Sequence, residues 1–309
     1  MNTIQYVLVL MTSALLNYLL HQWFTKLKKF DAINARSVHR NKATKTGGIT
    51  VFITLFVFSS YFYLKGQTIY DFSLLIPLGI MFLLGVYDDF YNADFKLKFF
   101  MQIIVAKILI DQGLLIDNFH GVLGLEEIPR VSAQLFTVFV FLVIVNAINF
   151  IDGIDGLAIT EAIKVILIVE FLSIQPTPFF AMGMITILSL LPLYYFNFKK
   201  DHKVFLGDAG SLFLGTLISI YIFYVLGSEY SLKSHFSANK PLLTICLIVY
   251  PLLDLFRVFI IRIKNNKSPF SPDQNHLHHL LIKKSIPHFL IVLILLSLSL
   301  AFLILPFGL

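Results

Sequence analysis

The sequence predicts an all-α polytopic membrane protein, on three observations. Apolar residues make up 57% of the 309-residue chain and charged residues only 14%, against roughly 25% charged in an average soluble domain. The mean hydropathy is +0.82, so a soluble fold of this size would lack polar surface to face water. Ten separate stretches are apolar over a length close to the about 20 residues that a helix needs to cross the hydrocarbon. A net charge of +6 would point to nucleic acid in a soluble chain. Here it is expected from basic cytoplasmic loops, and no nucleic-acid partner is expected. Cys246 is the only cysteine and lies in an apolar run, which excludes an intramolecular disulfide and a thiolate metal cluster.

The ten stretches are approximately 3–23, 48–65, 71–88, 97–117, 133–151, 156–174, 179–198, 209–228, 240–262 and 286–307. Residues 1–23 show neither the basic leader nor the small-residue cleavage site of a signal peptide and are read as the first span. Pro77, Pro192 and Pro251 fall inside spans, where membrane helices tolerate them. The loops after odd-numbered spans hold 17 of the 24 Lys and Arg, and the other loops hold four, Lys65, Arg130, Lys233 and Lys240. That bias places the first set in the cytoplasm and both termini outside. The longest outside loop, Asp117 to Ser132, has the glycine spacing and short apolar stretches of a small surface hairpin. Within spans, Lys107 with Asp111, Glu161 with Lys164 and Asp254 with Arg257 stand three or four apart, a spacing at which they can neutralise one another. No repeat or low-complexity tract divides the chain, so residues 1–309 are expected to form one membrane domain.

Polar chemistry gathers in the cytoplasmic connections. The first contains Arg40, Lys42 and Lys45 before Gly47-Gly48, a basic stretch whose glycine pair would let backbone N–H groups approach a phosphate. The same residues also suit a plain basic loop and helix start. The third span ends in Asp88-Asp89, adjacent carboxylates at the membrane boundary that call for a cation, a metal or a shared proton. Lys96 and Lys98 follow. The fifth span runs into NAINFIDGIDGLA, residues 146–158. There Asn146, Asn149, Asp152 and Asp155 recur every three residues, on one face if the helix continues. Carboxylates and amide oxygens in such a cluster are hard ligands suited to Mg²⁺. Asp208, in VFLGDAGSLFLG at 204–215, opens the eighth span among small residues, where an acid could also serve as a helix cap. The last cytoplasmic loop carries Arg262, Asp273, His276, His278 and His279. A zinc site and contacts to a nucleotide or diphosphate are both open readings of that cluster. Because His278 and His279 are adjacent, contacts to phosphate and base suit them better than a single tetrahedral ion.

Together these stretches resemble the polyprenyl-phosphate N-acetylhexosamine-1-phosphate transferases, glycosyltransferase family 4. The resemblance rests on Asp88-Asp89, on NxxNxxDGxDGLA at 146–158, on FLGDAGS at 205–211 and on PFSPDxxHLHH at 269–279, in that order over nearly the whole chain. The HLHH ending is similar to the bacterial branch that transfers GlcNAc-1-phosphate to undecaprenyl phosphate. Where the family commonly carries Thr-Pro before its glycine pair, this chain has Ala43-Thr44.

The resemblance implies about ten helices around a cytoplasm-facing cleft in a bacterial inner membrane, usually as a homodimer with Mg²⁺ (or Mn²⁺). It implies transfer of an N-acetylhexosamine 1-phosphate from a UDP-sugar to a polyprenyl phosphate, with release of UMP. On the same basis Asp88, Asp89, Asp152 and Asp155 are candidate catalytic residues, and Asn149, Asp152 and Asp208 candidate metal ligands. Lys96, Lys98, Asn146, Phe205, Arg262, His276, His278 and His279 are candidates for substrate binding. The main alternative is a secondary transporter or lipid flippase. Those proteins place ionisable groups near the bilayer midplane, often in two related halves, whereas here the groups crowd the cytoplasmic ends.

Overall fold

The structure, a computed structural model, describes residues 1–31, 42–199, 201–234, 236, 238–268 and 275–307. Among the described residues twelve α-helices follow one another: α1 (Thr3–Lys26), α2 (Gly47–Leu64), α3 (Leu75–Tyr91), α4 (Phe95–Asp111), α5 (Arg130–Ile151), α6 (Leu157–Leu172), α7 (Phe180–Phe198), α8 (Gly207–Leu226), α9 (Lys240–Leu247), α10 (Val249–Lys264), α11 (Leu277–Lys283) and α12 (His288–Phe302). Two strands of two residues each, β1 (Ala43–Thr44) and β2 (Lys203–Val204), pair in parallel.

Each of the ten apolar stretches falls on a helix or a helix pair. Among the described residues seven helices are long and apolar enough to span a membrane, and a bent pair brings the number to eight. Helices α4 and α6, at 17 and 16 residues, are shorter. The ninth stretch is not the single straight helix expected from its hydropathy. It breaks between α9 and α10, whose axes differ by 73°. Ile248 at the break has φ −123° and ψ 27°, outside helical values, and Pro251 three residues on has no N–H to carry the ladder across it.

Helix α8 is the axis of the bundle. It is apolar all round, and 94% of its spanning window is buried, as expected of a helix without a solvent or lipid face. Helices α2, α3, α5 and α6 pack around it. Close approach needs small residues: a Cβ on Gly48 would lie 2.1 Å from the backbone nitrogen of Gly210. The outer helices turn Leu, Phe and Tyr side chains outward, among them Leu15, Leu83, Leu135 and Phe171.

The charges inside the helices are partly paired as the spacing predicts. Lys107 pairs with Asp111. Lys164 lies 2.5 Å from Glu161 and also donates to Ser299 Oγ on α12. Asp254 and Arg257 do not pair with each other. Asp254 instead accepts from the Leu277 amide and contacts His276, each at 2.7 Å, while Arg257 donates to the Asn275 carbonyl. Asn275, His276 and Leu277, at the start of α11, lie against α10 and supply these partners. The loop from Asp117 to Ser132 forms the expected hairpin, with Phe119 N–H donating to Glu126 O at 2.8 Å and Ile128 N–H to Asp117 O at 2.9 Å.

Candidate active site

The site forms where helix ends meet on one face of the bundle. The first connection reaches it through β1. Phe205 N–H donates to Thr44 O, and the amides of Gly47 and Gly48 donate to Phe205 O and Leu206 O at 3.0 and 2.8 Å. The glycine pair therefore does not offer its amides to a phosphate, as one sequence reading had it. These N–H groups are the unsatisfied donors of the first turn of α2, and docking on the chain before α8 satisfies them. Lys45 stands 3.0 Å from Asp31 and 3.5 Å from Asp89. Burial alone would depress its ammonium, but the Asp89 and Asp31 carboxylates outweigh it and hold the group above its ordinary value. Arg40 lies outside the described residues. Lys42 sits with its ammonium 5.4 Å from the Phe30 ring.

Asp88 and Asp89 end α3 but have different surroundings. Asp88, 6% exposed, accepts from the Ala93 amide at 2.8 Å and pairs with Lys98. Asp89 turns to α8, where its oxygens accept from the amides of Asp208 and Ala209 at 3.1 and 2.9 Å. An anion at a helix N-terminus is favoured by the exposed N–H groups. The structure brings Lys98 to the site and leaves Lys96 exposed beside it.

The three-residue spacing after Asn146 holds only as far as the end of α5. Asn146 lies a turn deeper than the rest and donates to Gln102 of α4 at 2.9 Å and to Leu142 O at 2.7 Å. Asn149 donates to Asp208 Oδ1 at 2.6 Å and Ser211 Oγ at 2.8 Å, so it holds Asp208 in place. The helix stops at Ile151, and Asp152 caps it. Burial, together with Asp208, Asp89 and Asp155, pushes the Asp152 carboxyl well above the usual carboxylate range. Asp155, beyond the break, turns away toward Lys203 and His288, which lie 2.7 and 2.6 Å from its Oδ2.

Phe205 and Lys203 meet here too, the ammonium 5.3 Å from the ring. On the opposite rim, His276 contacts Asp254, and its ring lies 5.6 Å from Phe150. The Arg262 guanidinium lies over the same Phe150 ring at 5.6 Å. His278 is fully buried, with Nδ1 3.3 Å from the Tyr250 hydroxyl. Burial and the neighbouring His279, His276 and His288 lower it well below the ordinary imidazole value, so it is neutral at neutral pH. A Cβ on Gly153 would come within 2.5 Å of its Nε2, so the residue after Asp152 has to be small. His279 packs 4.3 Å from His278, ring to ring. Asp273 lies outside the described residues.

Asp152, Asp208 and the Asn149 side chain supply the hard oxygen donors that suit Mg²⁺ or Mn²⁺. Among the described residues no three carboxylate or imidazole side chains form a ready-made metal cage. The histidines likewise form no such cage, which leaves the zinc reading without a described ligand set.

Residues 71–226 match the family described as Glycosyl transferase family 4. The chain belongs to this family. The matched span runs from the turn before α3 to the end of α8 and so contains both aspartate pairs, Asn149, Phe205 and Asp208. Relatives match over most of the chain. The probable undecaprenyl-phosphate N-acetylglucosaminyl 1-phosphate transferase of Bacillus subtilis is 29% identical over 94% of this chain and 80% of its own. The undecaprenyl-phosphate alpha-N-acetylglucosaminyl 1-phosphate transferase of Haemophilus influenzae is 30% identical over 82% and 71%. The decaprenyl-phosphate N-acetylglucosaminephosphotransferase of Mycolicibacterium smegmatis is 26% identical over 89% and 75%. The motifs thus bring Asp89, Asn149, Asp152 and Asp208 together. Lys203, Asn197 and His288 lie beside them and were not singled out from sequence. The signal available for His288 was its place in IPHF: an imidazole opening a helix is poorly matched to the helix dipole and so points to a nearby acid.

Proposed function

We propose that the protein transfers an N-acetylhexosamine 1-phosphate, GlcNAc-1-phosphate as first choice, from its UDP-sugar to undecaprenyl phosphate. The products are undecaprenyl-diphospho-sugar and UMP, and the reaction is the first membrane step of an envelope polysaccharide. The observation that carries this reading is the Asp152 carboxyl, crowded by Asp208 and Asp89 beside Lys45 and Lys98 at the rim of an apolar bundle. A site that must bring two phosphate-bearing substrates together needs excess acid for a divalent ion and basic groups for the remaining charge. The relatives' activities support the same reaction class.

In this reading a lipid-phosphate oxygen attacks the β-phosphorus of the UDP-sugar. The new P–O bond forms as the bond from that phosphorus to the α-phosphate bridging oxygen breaks, and UMP leaves. A bound Mg²⁺ (Mn²⁺ as substitute) would be held by Asp152 and Asp208 and would neutralise charge on the diphosphate. Asn149 orients Asp208, and Asp89 fixes the helix start that carries it. The lipid phosphate is largely a dianion at neutral pH, its second pKa being near 6, so it needs little help from a base. Asp88, tied to Lys98, orients that lysine toward phosphate. Arg262, His276, His278 and His279 face the donor. The protein would cross a bacterial inner membrane ten times, as a homodimer, with both termini outside and the site cytoplasmic.

The test is a panel of UDP-N-acetylhexosamines with undecaprenyl phosphate and the purified protein in detergent. Labelled lipid and UMP in equal amounts, greatest with UDP-GlcNAc, are expected. A transporter or flippase would give neither product.

A further inference from the structure

Lys45 follows β1, and the backbone on both sides of it is tied down. Thr44 O accepts from Phe205 N–H at 2.8 Å, and the Gly47 amide donates to Phe205 O at 3.0 Å. The chain before α8 therefore sets where this side chain starts. Its ammonium reaches Asp31 at 3.0 Å and Asp89 at 3.5 Å. Asp89 does not need it as a hydrogen-bond donor. That carboxylate already accepts from the Asp208 and Ala209 amides, and 3.5 Å is an ion-pair distance rather than a good hydrogen bond. What the ammonium answers is net charge. The Asp208 carboxylate acts on it beside Asp89 and Asp31, and its own charge reaches the buried Asp152. Lys98 and Lys203 are committed elsewhere, to Asp88 and Asp155. Lys45 keeps 30% of its side chain exposed, against 2% for Asp89, so it is the solvent-facing member of that pair.

We propose that Lys45 is a resident counter-cation of the Asp89, Asp152 and Asp208 cluster, holding off a divalent ion until a donor diphosphate brings the negative charge that both cations then share. The inference rests on the ion site and the transfer reaction proposed above. Carboxylates gathered without a cation would take up a divalent ion from solution whether or not a substrate were present. A fixed positive charge opposes that, because like charges repel and the repulsion grows as water is excluded. The same charge attracts an anion, so the free site favours the diphosphate over the ion. Once the diphosphate is bound, its phosphates offset both cations. Lys45 thus makes metal binding depend on substrate. The ammonium does this by charge alone, and an arginine in its place should serve.

Mn²⁺ titrated into the nucleotide-free, full-length protein in detergent, read by electron paramagnetic resonance of the free ion, tests this without turnover. Lys45→Met should bind Mn²⁺ at least about tenfold more tightly than wild type, and Lys45→Arg within about threefold of it. UDP titrated calorimetrically into chelator-treated protein should move the other way, with its Kd raised about tenfold in Lys45→Met. Opposite shifts for a cation and an anion are the signature of a charge. A residue that only held the first connection in place would weaken both and lower the Tm. Unchanged or weaker Mn²⁺ binding in Lys45→Met overturns the proposal, and so does an unchanged UDP Kd. Adding Asp152→Asn to Lys45→Met should remove the gain in Mn²⁺ affinity. Tight binding that survives would place the ion between Asp31 and Asp89 and overturn the proposal too. Should Lys45→Met fail to fold, Lys45→Gln carries the same comparison. Wild-type protein that forms no labelled lipid from UDP-GlcNAc would sink the transfer reaction and leave the Lys45 shifts measurable.

Discussion

Asp89 holds the start of α8 through the amide of Asp208, which donates to its Oδ1 at 3.1 Å, so one acid of the third span sets the position of another 119 residues later. With the Ala209 amide on Oδ2, Asp89 acts as a helix cap supplied from a distant part of the chain. Two hydrogen bonds to a charged acceptor are each worth about 1.5–3 kcal/mol. Asp89→Ala is expected to lower the Tm in detergent and to cut turnover by displacing Asp208. Asp89→Asn, which keeps one acceptor, should lose less of both. Equal Tm values for wild type and Asp89→Ala would show that the cap is dispensable.

Asp152→Asn and Asp208→Asn should each cost at least about 100-fold in turnover, because charge stabilisation is usually the largest catalytic contribution. Both variants should still insert and purify. In chelator-treated protein, Asp152→Asn should raise the Tm, since it removes a charge that its neighbours oppose. Near-normal turnover in either variant would reduce these acids to turn and cap residues.

The raised Asp152 carboxyl sets a direction for pH. A proton and a divalent ion compete for the same carboxylate, and metal binding releases the proton. The Mg²⁺ concentration giving half-maximal rate should therefore fall as pH rises. The Asp152 charge also opposes folding of the metal-free protein. Its contribution to stability is complete below the unfolded-state value, near 4 for an aspartate, and is lost as pH rises through the folded value. Chelated protein should thus gain Tm on acidification until other groups titrate, and Asp152→Asn should remove that gain. A Mg²⁺ requirement independent of pH would contradict the assignment.

His278 has the opposite sign. Its folded value lies below the ordinary one, so below about pH 6.5 the unfolded chain binds a proton that the folded chain refuses. Stability should fall as pH drops through that region. His278→Asn should flatten this acid limb of the Tm profile, even where it lowers the Tm at neutral pH. An unchanged acid limb would mean that other groups set it.

Sidedness can be read with single cysteines in a Cys246→Ala background. Gln67 and Lys96 are both exposed, at opposite ends of the α3–α4 pair. An impermeant thiol reagent added to intact cells should label Gln67→Cys and spare Lys96→Cys. The reverse pattern would invert the orientation inferred from basic loops.

The sequence allowed the helices and the polar clusters to be found, because hydropathy marks spans and because Asn149, Asp152 and Asp208 are polar residues clustered at the ends of apolar spans. It did not allow their partners to be found. Asn146 has the same spacing as Asn149, yet its partner is Gln102 on α4, a pairing set by how α4 and α5 face each other. Lys96 and Lys98 are equivalent in composition, and only the orientation of α4 selects Lys98 for Asp88. The break at Ile248 was hidden by an unbroken apolar run on both sides of it. The glycine pair looked like a phosphate cradle because no local signal shows that Phe205 and Leu206 supply the acceptors.

The contact between His288 and Asp155 spans 133 residues, and this has a consequence during biosynthesis. At ~5–20 residues per second, a ribosome takes about 7–27 s to travel from one to the other. For that interval the nascent chain already carries Asp152, Asp155 and, later, Asp208, but lacks His288 and the helix it opens. Helix α12, made after α1–α11, is thus the one that brings His288 to Asp155. A chain stalled or clipped before residue 288 would leave Asp155 with Lys203 but without the imidazole that contacts it.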